Sequence, residues 1–230
     1  MASELGVFVV HGIGIEQPDF ADGFIAEMQD RLHALGIAVG TIQWEPAYWA
    51  DLLNDRERHL WDTLARDHDL DWVTVRKFFI NFFADAIAYQ RQPGQHPDMY
   101  HHIHQRMHDH LVQLRTALGQ QDPPLVIIAP SLGSVIMSNY IWDEQTQQGL
   151  GTTPFARMET LAGFVTFGSP MPLFTLALDD VISITFPPPT LPAPLHGPAQ
   201  WLNFFDADDG ARLSAEALEP VVCPGGACRS

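Results

Sequence analysis

Positive charge is scarce in these 230 residues: 12 lysines and arginines face 28 aspartates and glutamates, a net charge of −16 with histidine neutral. So acidic a balance repels phosphate backbones and anionic bilayer surfaces, and no nucleic-acid partner is expected. Long apolar runs are lacking too. Nothing approaches the roughly 18 to 20 apolar residues that a spanning helix needs, so no membrane span is expected. Cysteine is almost absent, with Cys223 and Cys228 both in the last eight residues. C-P-G-G-A-C has neither the spacing nor the partners of a zinc site. The opening M-A-S-E-L-G-V-F-V-V-H-G lacks the basic segment of a signal peptide and enters a strand pattern at once. These absences lead to the expectation of a cytoplasmic chain without structural disulfides.

What is there alternates. Short apolar runs at Leu5–Val10, Val39–Trp44, Leu125–Ala129, Gly163–Phe167 and Trp201–Phe205 read as strands buried on both faces. Helical patterns at Phe20–Leu35 and 134–148 lie between them. Strands alternating with helices predict a mostly parallel α/β sheet with flanking helices. The length suits a single domain spanning 1–230. Residues 46–119 break the alternation with three helical patterns and no strand. Trp49–Asp67 is heavily charged, Trp72–Gln90 is rich in phenylalanine, and Asp98–Leu118 carries Ile103, Met107, Leu111, Leu114 and Leu118 on one stripe. This helical insertion reads as a cap over the carboxyl edge of the sheet, or else as ordinary core packed sideways. The Pro-rich segment Phe186–Pro192 reads as a stiff connection or a lid.

In open α/β sheets ligands bind outside the carboxyl ends of the strands. The residues just past each run are therefore the informative ones. They are His11-Gly12-Ile13-Gly14, Pro130-Ser131-Leu132-Gly133, Gly168-Ser169-Pro170 and Asp206-Ala207-Asp208-Asp209. The second set ends a buried strand on a serine and starts a helix at once. That is the shape of a turn that exposes a nucleophile, although Pro, Ser and Gly are also ordinary turn residues.

The four segments H-G-I-G at 11–14, S-L-G-S at 131–134, T-F-G-S-P at 166–170 and W-L-N-F-F-D-A-D-D at 201–209 occur in the order found in α/β-hydrolase-fold serine hydrolases. The chain resembles that family, of the esterase and lipase kind, over nearly its whole length. The resemblance implies an α/β-hydrolase fold and hydrolysis of a carboxylic ester, or a related lactone or thioester, through an acyl-enzyme on Ser131. It implies an oxyanion hole from the N–H groups of Leu132 and Ile13, a small-molecule acyl substrate and no cofactor. Asp209 matches the position of the triad acid, with Asp206 and Asp208 as neighbours in an acidic turn. Two departures stand out. The elbow reads A-x-S-x-G rather than G-x-S-x-G, and Pro130 stands where such enzymes often carry histidine. Ser169 and His11 read as structural: a turn serine, whose removal should leave Ser131-dependent activity largely intact, and a brace for the first loop.

The family order is serine, acid, histidine, yet no histidine follows Asp209. Three readings stay open: a non-catalytic relative that binds acyl ligands or another protein, a displaced base such as His196, or a tail that is not the family's own. The third has support in the letters. One choice of permitted codons for Arg212–Ser230, read from the second base, gives G-Y-P-L-K-P-L-S-P-S-Y-A-Q-A-V-H-A-D, which resembles the G-Y-P-L-x-P-L continuation of this group. The expectation is a tail after about residue 211 that is frameshifted or truncated. Early stop codons in that alternative frame of the gene would end the idea.

Two further expectations concern surfaces. His101, His104 and His108 fall on one helical face at i, i+3 and i+7, a spacing that suits a divalent metal but is more simply a solvated face; no metal site is assigned. If the last strand of the family is missing, Trp201–Phe205 becomes a sheet edge that favours a homo-oligomer.

Overall fold

The structure, a computed structural model, describes residues 4–13, 17–52, 89, 99–175 and 181–205. Five strands form one all-parallel sheet in the order β2-β1-β3-β4-β5, with β1 Leu5–Val10, β2 Ile42–Ala47, β3 Leu125–Pro130, β4 Leu161–Phe167 and β5 Gln200–Phe204. The helices are α1 Asp22–Ala34, α2 Met99–Ala117, α3 Leu132–Gln145, α4 Met171–Thr175 and α5 Ala193–His196. This is a general α/β architecture. Among the described residues no helix is long and apolar enough to cross a membrane.

The strand runs are continuously apolar because both faces are covered. Alternate residues point to opposite sides. Phe8, Val10, Ile127, Ala129 and Phe164 join the core with α2 and α3, while Val7, Val9, Ile42 and Ile128 face the side where Ile25 and Leu32 of α1 pack. β2 starts three residues later than the sequence suggests. Val39–Thr41 close a 3-10 turn first, and the strand then runs through Pro46. A proline inside a strand is tolerated here because β2 is an edge, with only β1 to pair with.

The third expected helix of the 46–119 insertion forms as α2, but as core and not as a cap. Ile103, Met107, Leu111 and Leu114 are fully buried, and α2 lies against β2 and β1 as the crossover between β2 and β3. The Arg106 guanidinium ties its first half to the segment just past β2 with a fork onto the Asp51 carboxylate, 2.8 and 3.0 Å, and a bond to the Tyr48 carbonyl. The patterns at Trp49–Asp67 and Trp72–Gln90 fall mostly outside the described residues. Among the described residues β5 is the edge opposite β2.

The strand order reverses between β1 and β3: the chain leaves β1 for one side, forms β2, then returns to form β3 on the other. The crevice at this switch point opens at the carboxyl ends of β1 and β3.

Candidate functional site

Two segments meet in that crevice, His11–Ile13 from β1 and Ser131–Ser134 from β3 into α3. Glycines make the meeting possible. A Cβ on Gly133 would lie 2.6 Å from the His11 carbonyl oxygen, and one on Gly12 would lie 2.8 Å from Ser131 Cβ and 3.4 Å from its Oγ. Gly12 is thus packed directly against the Ser131 side chain, and the first turn of α3 against the backbone leaving β1.

Ser131 has φ 49° and ψ −131°, a combination that a residue with a Cβ rarely adopts and that costs on the order of 1–3 kcal/mol. Its surroundings hold it there. The Ser131 N–H donates to the Phe167 carbonyl at the end of β4, 2.9 Å, and the Ser131 carbonyl accepts from the Ser134 N–H, 3.0 Å, and hydroxyl, 2.6 Å. The side chain is half-buried. Leu132 and Gly133 open α3, so their N–H groups have no intrahelical acceptor, and they carry the positive end of the helix dipole. Ile13 is half-buried and packs against the core.

His11 is a brace. Its Nδ1 lies 2.6 Å from the Gly12 carbonyl, its Nε2 accepts the Trp49 backbone N–H at 3.1 Å, and its carbonyl takes the Trp49 indole N–H at 3.1 Å. The ring stacks on Trp49, centroids 4.8 Å apart and planes 6° apart. Burial lowers its pKa to about 4, so it stays neutral near pH 7, donates through Nδ1–H and has no nitrogen left for Ser131.

His196 lies at the wrong edge of the sheet. It ends α5, just before β5 begins. The five residues of β5 rise about 3.3 Å each, so most of a strand length separates it from the carboxyl edge. Its Nε2–H donates to the Leu191 carbonyl within its own loop, 2.6 Å. The Pro-rich segment is pinned at the same amino edge, where the Thr190 hydroxyl donates to the Glu159 carbonyl just ahead of β4, 3.1 Å. Phe186–Pro192 is therefore a connection, not a lid over Ser131. Asp206, Asp208 and Asp209 lie outside the described residues.

Ser169, expected as a turn serine, follows Gly168 at φ 55°. Its hydroxyl also reaches the Ser134 hydroxyl at 2.7 Å, a link into the elbow that sequence alone did not reveal.

The expected histidine face is split. His104 is buried, with Nδ1 3.2 Å from the Asp143 carboxylate and Nε2 2.9 Å from the Tyr89 hydroxyl. His108 Nδ1 lies 3.3 Å from the Tyr140 hydroxyl. Among the described residues no group of three or more His, Cys, Asp or Glu side chains is placed to hold a metal ion. His104 and Asp143 instead line a cavity of about 380 Å³ between α2 and α3, together with Tyr100, His101, Tyr140 and Glu144. The buried His104–Asp143 pair was missed from sequence. The only signal was that His104 stands beside Ile103 and three residues before Met107, on the apolar stripe.

No family model, curated protein or solved structure matches the chain.

Proposed function

We propose that the protein is a serine hydrolase of the α/β-hydrolase kind, acting on carboxylic esters or related acyl compounds through an acyl-enzyme on Ser131. One observation carries the reading: Ser131 is held at φ 49° and ψ −131° between a buried strand and a helix N-terminus, against Gly12 of the neighbouring loop. A sharp, strained strand-to-helix turn of this kind serves to expose a nucleophilic hydroxyl.

In this mechanism the Ser131 Oγ bonds to the substrate carbonyl carbon and its proton passes to a base. The carbonyl oxygen becomes an oxyanion that accepts N–H bonds from Leu132 and Ile13, preset for that charge. The bond to the leaving group then breaks, the alcohol departs with a proton, and water releases the acid from the acyl-enzyme. Asp209 is the acid that would orient the base. The histidines of this chain at 59, 68 and 96 lie outside the described residues.

A second reading, an impaired hydrolase that binds acyl ligands or a protein, draws on one observation. His196, the described histidine that sequence offered as a displaced base, donates to the Leu191 carbonyl, and His11 is committed to the Gly12 carbonyl and the Trp49 N–H. The readings differ in rate. An oxyanion hole and binding alone give roughly 10³–10⁴ over water. Turnover of p-nitrophenyl butyrate, whose leaving group departs as an anion without needing a proton, is expected to exceed that of ethyl butyrate by a wide margin. Ser131→Ala is expected to abolish it. Undiminished turnover by Ser131→Ala would refute the hydrolase reading.

A further inference from the structure

We infer that Ser169 and Ser134 form a hydroxyl relay that fixes the peptide between Ser131 and Leu132 and so aims the Leu132 N–H, making both serines positioning residues for the reaction at Ser131. The inference rests on the proposed role of Ser131, and it adds residues from a different strand.

The proton order follows from the contacts. The Ser131 carbonyl can only accept, so the Ser134 hydroxyl donates to it, 2.6 Å. Ser134 has one hydroxyl proton and has used it. The 2.7 Å contact between Ser134 Oγ and Ser169 Oγ must therefore have Ser169 as donor. The Met171 N–H lies 3.4 Å from Ser169 Oγ and completes the chain weakly. Ser134 is fully buried, so water does not compete for its bonds. A hydroxyl that accepts one bond donates the next more strongly.

The consequence is directional. In a trans peptide the C=O and the following N–H point in opposite directions within one plane. Holding the Ser131 carbonyl toward Ser134 therefore turns the Leu132 N–H away from α3, toward the space in front of the helix. The Ser131 N–H is meanwhile tied to the Phe167 carbonyl, 2.9 Å. The end of β4 thus acts on both torsions of Ser131, through Phe167 on φ and through Ser169 and Ser134 on ψ. A strained residue persists only where its surroundings over-determine it, and the relay is one of the constraints that do so.

The test uses the full-length chain, a fluorophosphonate that reacts with activated serines, and amide NMR of ¹⁵N-labelled protein. Ser134→Ala and Ser169→Ala are expected to slow the maximal rate of Ser131 phosphonylation by roughly tenfold, a fraction of the 10²–10³ lost when an oxyanion donor is removed outright; for Ser169 this replaces the sequence-based expectation of largely intact activity, because its hydroxyl meets Ser134. The half-saturating probe concentration should not change. The Leu132 amide resonance should shift in both variants, and Ser169→Thr, which keeps the hydroxyl, should restore rate and resonance together. A purely structural role would move neither the rate at fixed half-saturation nor the rescue. If both alanine variants match the parent in rate and in the Leu132 resonance, the relay is overturned while the hydrolase reading stands. If the parent takes up no phosphonate but the resonance moves in both variants, the hydrolase reading fails and the positioning role with it, while the hydroxyl chain that orients the Leu132 N–H stands.

Discussion

Gly133→Ala is expected to lower the melting temperature by roughly 4–8 °C and to slow Ser131 phosphonylation about a hundredfold. On an isolated helix this exchange stabilises, by up to about 1 kcal/mol. Here the new Cβ would sit 2.6 Å from the His11 carbonyl oxygen, 3.2 Å from its carbon and 3.3 Å from the Val10 carbonyl. All three are backbone atoms at the end of β1, which cannot swing aside as a side chain could. Overpacking of this kind costs about 1–3 kcal/mol. With the upper end expected for a backbone clash, the net loss is about 2 kcal/mol, and each kcal/mol lowers the melting temperature of a chain this size by about 2–4 °C. The rate falls further because the atoms pushed away belong to the loop that carries Gly12 and Ile13, and a displacement of about 1 Å at a reacting centre can cost about 10² in rate. Thermal melting and labelling kinetics on one variant check both parts. Parent-like stability and reactivity would mean that the two loops do not interlock.

The second large effect is far from Ser131. Asp143→Ala is expected to destabilise the fold by about 2–6 kcal/mol, because it takes the acceptor from two buried donors at about 1–3 kcal/mol each. The Asp143 carboxylate lies 3.2 Å from His104 Nδ1, with both side chains 6% exposed, and it accepts the Tyr100 hydroxyl at 2.8 Å. The Tyr89 hydroxyl, 2.9 Å from His104 Nε2, takes the Asn139 amide at 3.2 Å. The network thereby bolts α2 to α3 across the core, and removing the acceptor in its middle takes away a bond from two partners at once. Tyr100→Phe removes one bond and should cost about 1–2 kcal/mol. Urea denaturation of the two variants gives the comparison. A loss below about 1 kcal/mol for Asp143→Ala would mean that water reaches the network.

Much of the sheet was legible because burial on both faces writes itself as unbroken apolar runs. Leu5–Val10 appears as read, and the later strands differ from their sequence boundaries by two residues or fewer. β2 lies three residues later at both ends than its sequence reading, Ile42–Ala47 against Val39–Trp44: Val39–Thr41 form a turn, Pro46 looks like a strand end, and only the edge position makes the proline harmless. The turn at Ser131 was legible for a different reason: an apolar run that stops on Pro-Ser-Leu-Gly leaves little room for anything else. Its positive φ is written in no single letter. It follows from packing against Gly12 and from bonds to Phe167 and Ser134.

Contacts between distant positions were not legible. Ser134 and Ser169 stand 35 residues apart, and Tyr100 and Asp143 stand 43 apart. One sequence carries no trace of such pairings. The helix carrying Ile103 to Leu114 was correctly read as amphipathic, but a stripe does not say what it packs against. It fits a cap and a crossover helix equally, and the strand order decided for the crossover. His104 was assigned to a solvated face because imidazole counts as polar, although its spacing from Met107 and Leu111 already put it on the buried side.

Whether the strained turn makes Ser131 a nucleophile is decided by treating the intact chain with a fluorophosphonate probe and locating the adduct by peptide mass spectrometry. One adduct is expected, on the peptide containing Ser131, absent in Ser131→Ala and retained on Ser131 in Ser169→Ala at a reduced rate. A folded chain that takes up no probe at Ser131, or an adduct that persists at another serine in Ser131→Ala, would contradict that role for Ser131.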